Sequence, residues 1–350
     1  MTMRGQLVLV TGAGRSGTST VTGALARLGF AVPQPVIRAS EANPRGFYES
    51  WWPVRFHNTI LSRAALAKSD GQPDVADLVD AEVRATDVEK LQTWLGEQFD
   101  GVDRVVVKDP RAAVLTGLWA DAAARVGVDI GYVAMLRHPS EVIGSRAAYY
   151  EPGATPSLAQ ASRIATAWLS HNLTLEQRTR DQSRAFVQYA DLLADWRATL
   201  GALGEVLGLR LDALADEAVA ADVDAFVEPS LRRHRPTWEG IDLPRSLRVV
   251  VEDAWSALTR LSGSVSRDRA AEDDLDEIAA RFARLYAEAE ALTSHRTATR
   301  VETSLRRDRA EGFHEETPNP ADDARAAEEP APAGSLVGRL RRRIRRGRSS

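Results

Sequence analysis

The sequence contains no cysteine. Disulfides, thiolate metal sites and cysteine nucleophiles are therefore excluded, and the composition suits a reducing compartment, so the expected location is the cytoplasm. Lysine is scarce as well: only Lys68, Lys90 and Lys108 occur, and the remaining cationic side chains are arginine. An arginine where a motif usually carries lysine is then a coding habit, and each surviving lysine stands out. A strong positive charge is missing too. The formal net charge of −4 argues against nucleic-acid binding by the whole domain. No apolar run approaches the ~20 residues needed to span a bilayer. No charged, apolar and cleavable stretches precede the first strand candidate, so no signal peptide is expected.

What is present is a chain of 350 residues, 44% hydrophobic and 27% charged, enough for one large α/β domain with appendages or for two small domains. Short β-branched runs at 6–11, 104–108, 130–136 and 185–189 read as buried strands. Segments with helical spacing lie between them, at 17–29, 87–99, 112–126, 140–150, 158–180 and 191–207. That alternation predicts a parallel sheet covered on both faces. Residues 33–58, with four prolines and several aromatics, read as an ordered, irregular loop near the ligand edge of the sheet. Residues 59–100 read as mainly helical with a turn at 71–74, and 243–262 as a further helix.

Leu275, Ile278, Phe282, Leu285, Ala289 and Leu292 alternate at spacings of three and four, the seam of a helix packed on its own domain. From about 296 the chain becomes charged and then Pro/Ala-rich, as expected of a disordered linker. It ends in "SLVGRLRRRIRRGRSS", seven arginines and no acid. This is a solvated basic tail or, over 334–350, a weak peripheral contact to anionic lipid.

The chemistry is concentrated in "LVLVTGAGRSGTSTVTGALARLGF" at 7–30: a strand, a glycine turn, then a helix. Gly12-x-Gly14-x-x-Gly17 fits a dinucleotide fingerprint, but that reading needs a second strand ending in an acidic residue. The chain offers Pro33 and Pro35 there, and proline cannot donate to a sheet ladder. A short-chain dehydrogenase would need Tyr-x-x-x-Lys, and the residues four before the lysines are Ala64, Thr86 and Arg104. A P-loop has the correct placement, since successive N–H groups and a helix N-terminus form an anion nest. The Walker lysine position is Thr18, however. That weakens a metal-dependent kinase of a small molecule or glycan without removing it, because Ser19 keeps the metal-binding hydroxyl and Asp109 ends a Walker B-like strand.

A third reading rests on Arg15 inside the loop. "GAGRSGTS" resembles the 5′-phosphosulfate loop of the sulfotransferase superfamily, whose donor is 3′-phosphoadenosine 5′-phosphosulfate (PAPS). "VAMLRHPSEVIGS" resembles the family's second site, with Arg137, Pro139 and Ser145 at the family's spacing. "VVVKDPR" at 105–111 is similar to a strand end of the bacterial and carbohydrate-type branch, "FVQYADLLADW" to a later strand bearing Tyr189, and "FVEPSLRRHR" to the late basic loop. The resemblance covers roughly 6–240.

It implies a P-loop NTPase-like α/β domain over 1–240, leaving a helical extension over 241–295 and a disordered acidic, proline-rich linker with an Arg-rich tail over 296–350. It implies that Gly14, Arg15, Ser16, Gly17, Thr18 and Ser19 hold the 5′-phosphosulfate. Arg137 and Ser145 then hold the 3′-phosphate with Arg232 and Arg233, and Tyr189 lies near the nucleotide. Lys108 would stabilise the leaving oxygen. The cytosolic members' catalytic histidine position is Pro110 here, so the base comes from elsewhere. Glu49 is the first candidate, with His57 and Glu41 in reserve, and its structural alternative is pairing with Arg45 or Arg55. Trp51, Trp52 and Tyr48 either stack on a flat acceptor or belong to the core. No metal is required, because protein cations can suffice for a sulfuryl group. A non-catalytic nucleotide-binding scaffold stays open as a further alternative.

Overall fold

The computed structural model describes residues 4–311, except 40–42, 44, 68–69, 151–154, 229–230, 232–234 and 264–266, and gives no side-chain placement for Tyr150 or 294–311. Arg232, Arg233, Glu41, most of the acidic linker and the Arg-rich tail thus lie outside the described residues.

Four strands form one sheet in the order β2-β1-β3-β4, with β1 at Gln6–Thr11, β2 at Arg104–Lys108, β3 at Asp129–Leu136 and β4 at Arg184–Gln188. All three pairings are parallel. Leu7, Val8, Leu9 and Val10 are fully buried, as a strand covered on both faces requires. Alternate residues serve opposite faces. Val8, Val10, Val106, Val133 and Met135 pack with Leu25, Leu200 and Phe226. The helices on this face are α1 (Thr18–Arg27), α8 (Tyr189–Ala194), α9 (Trp196–Leu207) and α10 (Glu217–Phe226).

On the other face two clusters lie side by side. Leu7, Leu9, Val105 and Val107 meet α2 (Trp51–Arg63), α3 (Val75–Asp80), α4 (Ala85–Gln98) and α5 (Thr116–Val126). Ala134, Leu136 and Phe186 meet α6 (Pro139–Tyr150), α7 (Leu158–Arg178), α11 (Arg245–Arg260) and the start of α12 (Arg269–Glu311).

Several boundaries differ from the sequence reading. The irregular segment after Pro33 stops at Ser50, and Trp51 opens α2, because Pro53 falls in the first turn where its missing N–H is not needed. The helix expected at 112–126 is a 3₁₀ turn at Pro110–Val114 followed by α5. The one expected at 191–207 is broken at Asp195, whose carboxylate caps α9 by accepting from the Ala198 N–H. Tyr189 starts α8 rather than ending β4.

Residues up to Glu290 form one compact unit, so the segment after 241 shares the main core. Leu275, Ile278 and Phe282 are buried there, while Leu292 is exposed. Residues 291–350 form a second unit, helical as far as Glu311, so the helix runs past 296, where the sequence reading placed the start of the linker. Among the described residues no helix is long and apolar enough to cross a membrane.

Candidate active site

The glycine loop joins β1 to α1 at the carboxyl edge of the sheet. Two glycines are required by geometry. A Cβ on Gly12 would stand 2.6 Å from the Met135 carbonyl oxygen, and one on Gly17 would stand 2.2 Å from Cδ2 of Tyr189. Both have positive φ, 148° and 93°. Gly17 is also the N-cap of α1 and supplies no capping side chain. Among the described residues the N–H groups of Gly14, Gly17, Thr18 and Ser19 find no acceptor within the protein, while the Ser16 N–H turns back to the Ala13 carbonyl at 3.0 Å. The Ser16 hydroxyl is buried without a partner. Leaving buried polar groups unmade costs about 1–3 kcal/mol each. Donors gathered at a helix N-terminus without acceptors are the features of an anion site.

The two motifs that the sequence separates by more than a hundred residues meet here. Arg15 Nε donates to Ser145 Oγ on α6 at 3.2 Å, and Arg137 Nη1 donates to the Arg15 carbonyl at 3.1 Å. Arg137 leaves the end of β3 and is held from below. Its Nε bonds Glu141 Oε2 at 2.9 Å, its guanidinium lies 4.8 Å from the Tyr189 ring centre, and its carbonyl accepts from the Trp168 indole at 3.2 Å. Tyr189 lies beneath the loop, and burial pushes its phenol pKa up against the opposing influence of Arg137. The Ser19 hydroxyl donates to the Phe47 carbonyl at 3.1 Å, which leaves its N–H, not its side chain, to face an anion. Leu231 and Thr237, on either side of Arg232 and Arg233 in the chain, are tied to residues of this site. Tyr189 Oη donates to the Leu231 carbonyl at 3.3 Å, and the Thr237 N–H donates to Ser140 Oγ at 3.1 Å.

Beside the loop, Glu49 and Lys108 form a direct buried pair, Nζ to Oε1 at 2.6 Å. Register explains the placement: Lys108 is paired with Val10, so it leaves β2 as the glycine loop leaves β1. Glu49 has neither Arg45 nor Arg55 as its partner. Arg45 bonds the Phe226 carbonyl and Glu228 instead. The second cation near Glu49 is Arg111, whose Nη1 lies 3.8 Å from Oε2.

Behind this pair runs a network that the sequence reading missed. Asp109 Oδ1 accepts from Arg111 Nη1 at 2.7 Å and from its backbone N–H at 2.9 Å. Asp109 Oδ2 lies 2.9 Å from Nδ1 of His57, and His57 Nε2 accepts from the Trp119 indole at 3.0 Å. Burial alone would raise the Asp109 pKa. The contact and hydrogen bond with His57, joined by Arg111, outweigh burial and hold it well below the carboxylate range. His57 thus fails as a reserve base. It is fully buried, and both ring nitrogens are occupied: Nε2 must be the acceptor because an indole only donates.

His171 on α7 was also missed. Its Nε2 lies 3.5 Å from Thr11 Oγ1 at the end of β1. Burial, opposed by Asp109 and assisted by Arg146, pushes its pKa down to about 4. The aromatic residues divide. Trp52 stacks at 4.8 Å on both Phe56 and Trp94, and Tyr48 meets Phe226 edge-on. Both belong to the core, so neither stacks on an acceptor. Trp51, two residues from Glu49, is 49% exposed and keeps that role open.

Lys108, Asp109 and Arg111 stand together in one quoted motif, so three members of the acidic-basic cluster were in view from the sequence. His57 and Trp119 carry no local signal. Their partners lie 52 and 62 residues away in the chain.

No curated protein sequence matches the chain. Among solved structures, the sulfotransferase domain from the Synechococcus PCC 7002 olefin synthase aligns over 81% of this chain and 97% of that domain. Its sequence identity is 16% and its TM-score 0.38. The family model described as "Sulfotransferase family" matches residues 8–213. The chain belongs to the sulfotransferase family.

Proposed function

We propose that this protein transfers the sulfuryl group of PAPS to a hydroxyl of a glycan or another small acceptor. The observation that carries the reading is the meeting of Arg15 with Ser145, with Arg137 bonded to the Arg15 carbonyl. Two cations and a hydroxyl converge beside a loop whose N–H groups and Ser16 hydroxyl await an anion. That donor set fits a nucleotide with phosphates at both the 5′ and 3′ positions. The loop N–H groups, Ser16 and Arg15 would hold the 5′-phosphosulfate, and Arg15 offers planar, bidentate donors. Arg137 and Ser145 would hold the 3′-phosphate, joined by Arg232 and Arg233.

When bound, PAPS supplies an activated sulfuryl group on a phosphate leaving group. Glu49 takes the acceptor's proton as the oxygen–sulfur bond forms. Lys108 donates to the bridging oxygen as its bond to sulfur breaks and charge develops there. The 2.6 Å Glu49–Lys108 contact holds base and cation side by side next to the loop. Trp51 presents a flat face for the acceptor.

Thermal unfolding with added nucleotide tests the donor assignment. Adenosine 3′,5′-bisphosphate is expected to raise Tm, with ATP and Mg²⁺ giving little. Stabilisation by ATP–Mg²⁺ alone would move the reading to a kinase.

A further inference from the structure

Arg111 stands between two carboxylates at unequal distances. Its Nη1 is 2.7 Å from Asp109 and 3.8 Å from Glu49. The side chain is buried, and its Nε has no hydrogen-bond partner among the described residues. The guanidinium is therefore positioned mainly by Asp109. Asp109 is itself fixed from two sides, by the Arg111 N–H that its carboxylate caps at the start of the 3₁₀ turn and by His57, which the Trp119 indole holds in turn.

We propose that Asp109, seated by His57 and Trp119, is a positioning residue that holds Arg111 off Glu49 Oε2 and so leaves that oxygen open to the acceptor's proton. The proposal rests on the reading of Glu49 as the base and adds the groups that keep its oxygen open. Glu49 already faces Lys108 at 2.6 Å. A second cation at full contact would occupy Oε2 and compete with the acceptor's proton for it. Asp109 faces His57 and Arg111, with His171 and Arg146 further along the same side. Held ionised well below the carboxylate range, Asp109 competes for Arg111 at any working pH. The competition is local because charge–charge interaction in a buried site falls with distance and is little screened by salt.

The test is a titration of the Glu49 carboxyl by NMR in protein labelled with carbon-13 at the glutamate side-chain carboxyl. The signal is assigned by its loss in Glu49→Gln, so no acceptor is needed. Asp109→Asn is expected to lower the Glu49 midpoint by about one pH unit, as a freed neighbouring cation does. Arg111→Gln is expected to raise it by a similar amount. Trp119→Phe should shift it in the direction of Asp109→Asn, by less. A midpoint unchanged in Arg111→Gln, or moved the same way in both variants, would overturn the proposal and leave the network a packing device. If Asp109→Asn does not fold, Arg111→Gln against the native protein decides the matter alone. The underlying reading fails separately: turnover that survives Glu49→Gln rejects Glu49 as base whatever its titration shows.

Discussion

The two halves of the site satisfy their polar groups in opposite ways. Around the glycine loop, donors are left over: four N–H groups and the Ser16 hydroxyl have no acceptor among the described residues. Around Lys108 the charges are closed on one another, Lys108 with Glu49 and Arg111 with Asp109, and the His57 ring bonds Asp109 from behind. In the proposed function the first half is completed by the anionic groups of the donor nucleotide. The second is already neutralised, and its geometry is set before any substrate arrives. Such preorganisation is what electrostatic catalysis requires, because nothing then has to reorient as charge moves.

The sharpest way to break the contrast is to neutralise one member of the closed half. Glu49→Gln keeps the shape and an oxygen for Lys108 but cannot take a proton. It should lower turnover by about 10²–10⁴-fold while calorimetry finds adenosine 3′,5′-bisphosphate bound as before. Loss of nucleotide binding as well would merge the two halves. Arg15→Ala acts on the open half. It should cost about 10²–10³-fold in kcat, as for removal of one transition-state donor, and should weaken nucleotide binding too. A variant that binds nucleotide normally would show that the Arg15 side chain serves contacts within the protein, such as those with Ser145 and Tyr149, and not the nucleotide.

Gly17→Ala tests the loop itself. Its Cβ would press on the Tyr189 ring at a φ of 93°, so denaturant titration should show a loss of about 1–3 kcal/mol. An unaffected midpoint would mean the loop is looser than described. The last test concerns His171, which borders both halves and whose effect is confined to acid pH. Its pKa is depressed in the folded state from 6.5 to about 4, so folding releases its proton. The stability it contributes is present above about pH 6.5 and is lost as pH falls towards 4. His171→Gln should flatten the acid side of a Tm–pH curve in that window, and a curve of unchanged slope would contradict the assignment.

The open half was legible in the sequence because its parts are contiguous. Gly12, Gly17 and Arg15 occupy one turn, and Arg137 and Ser145 lie eight residues apart at one strand–helix junction. Strand periodicity also placed all four strands, since parallel strands buried on both faces read as unbroken apolar runs. The closed half was only partly legible. Lys108, Asp109 and Arg111 stood in one motif, but the partners Glu49 and His57 come from a loop and a helix 59 and 52 residues away from Lys108 and Asp109. No local pattern distinguishes a histidine with both nitrogens occupied from one free to act as a base. The aromatic loop showed the same limit: Tyr48, Trp51 and Trp52 look alike in sequence, and only packing separates the exposed Trp51 from the other two.

The central claim is tested most directly by following radiolabel from PAPS. The native protein and Glu49→Gln are incubated with labelled PAPS and fractions of a cell lysate as a source of acceptor, and the labelled product is separated from donor. The account predicts transfer of label to a hydroxyl-bearing product by the native protein and almost none by Glu49→Gln. No transfer by the native protein from any fraction, or equal transfer by both proteins, would contradict it.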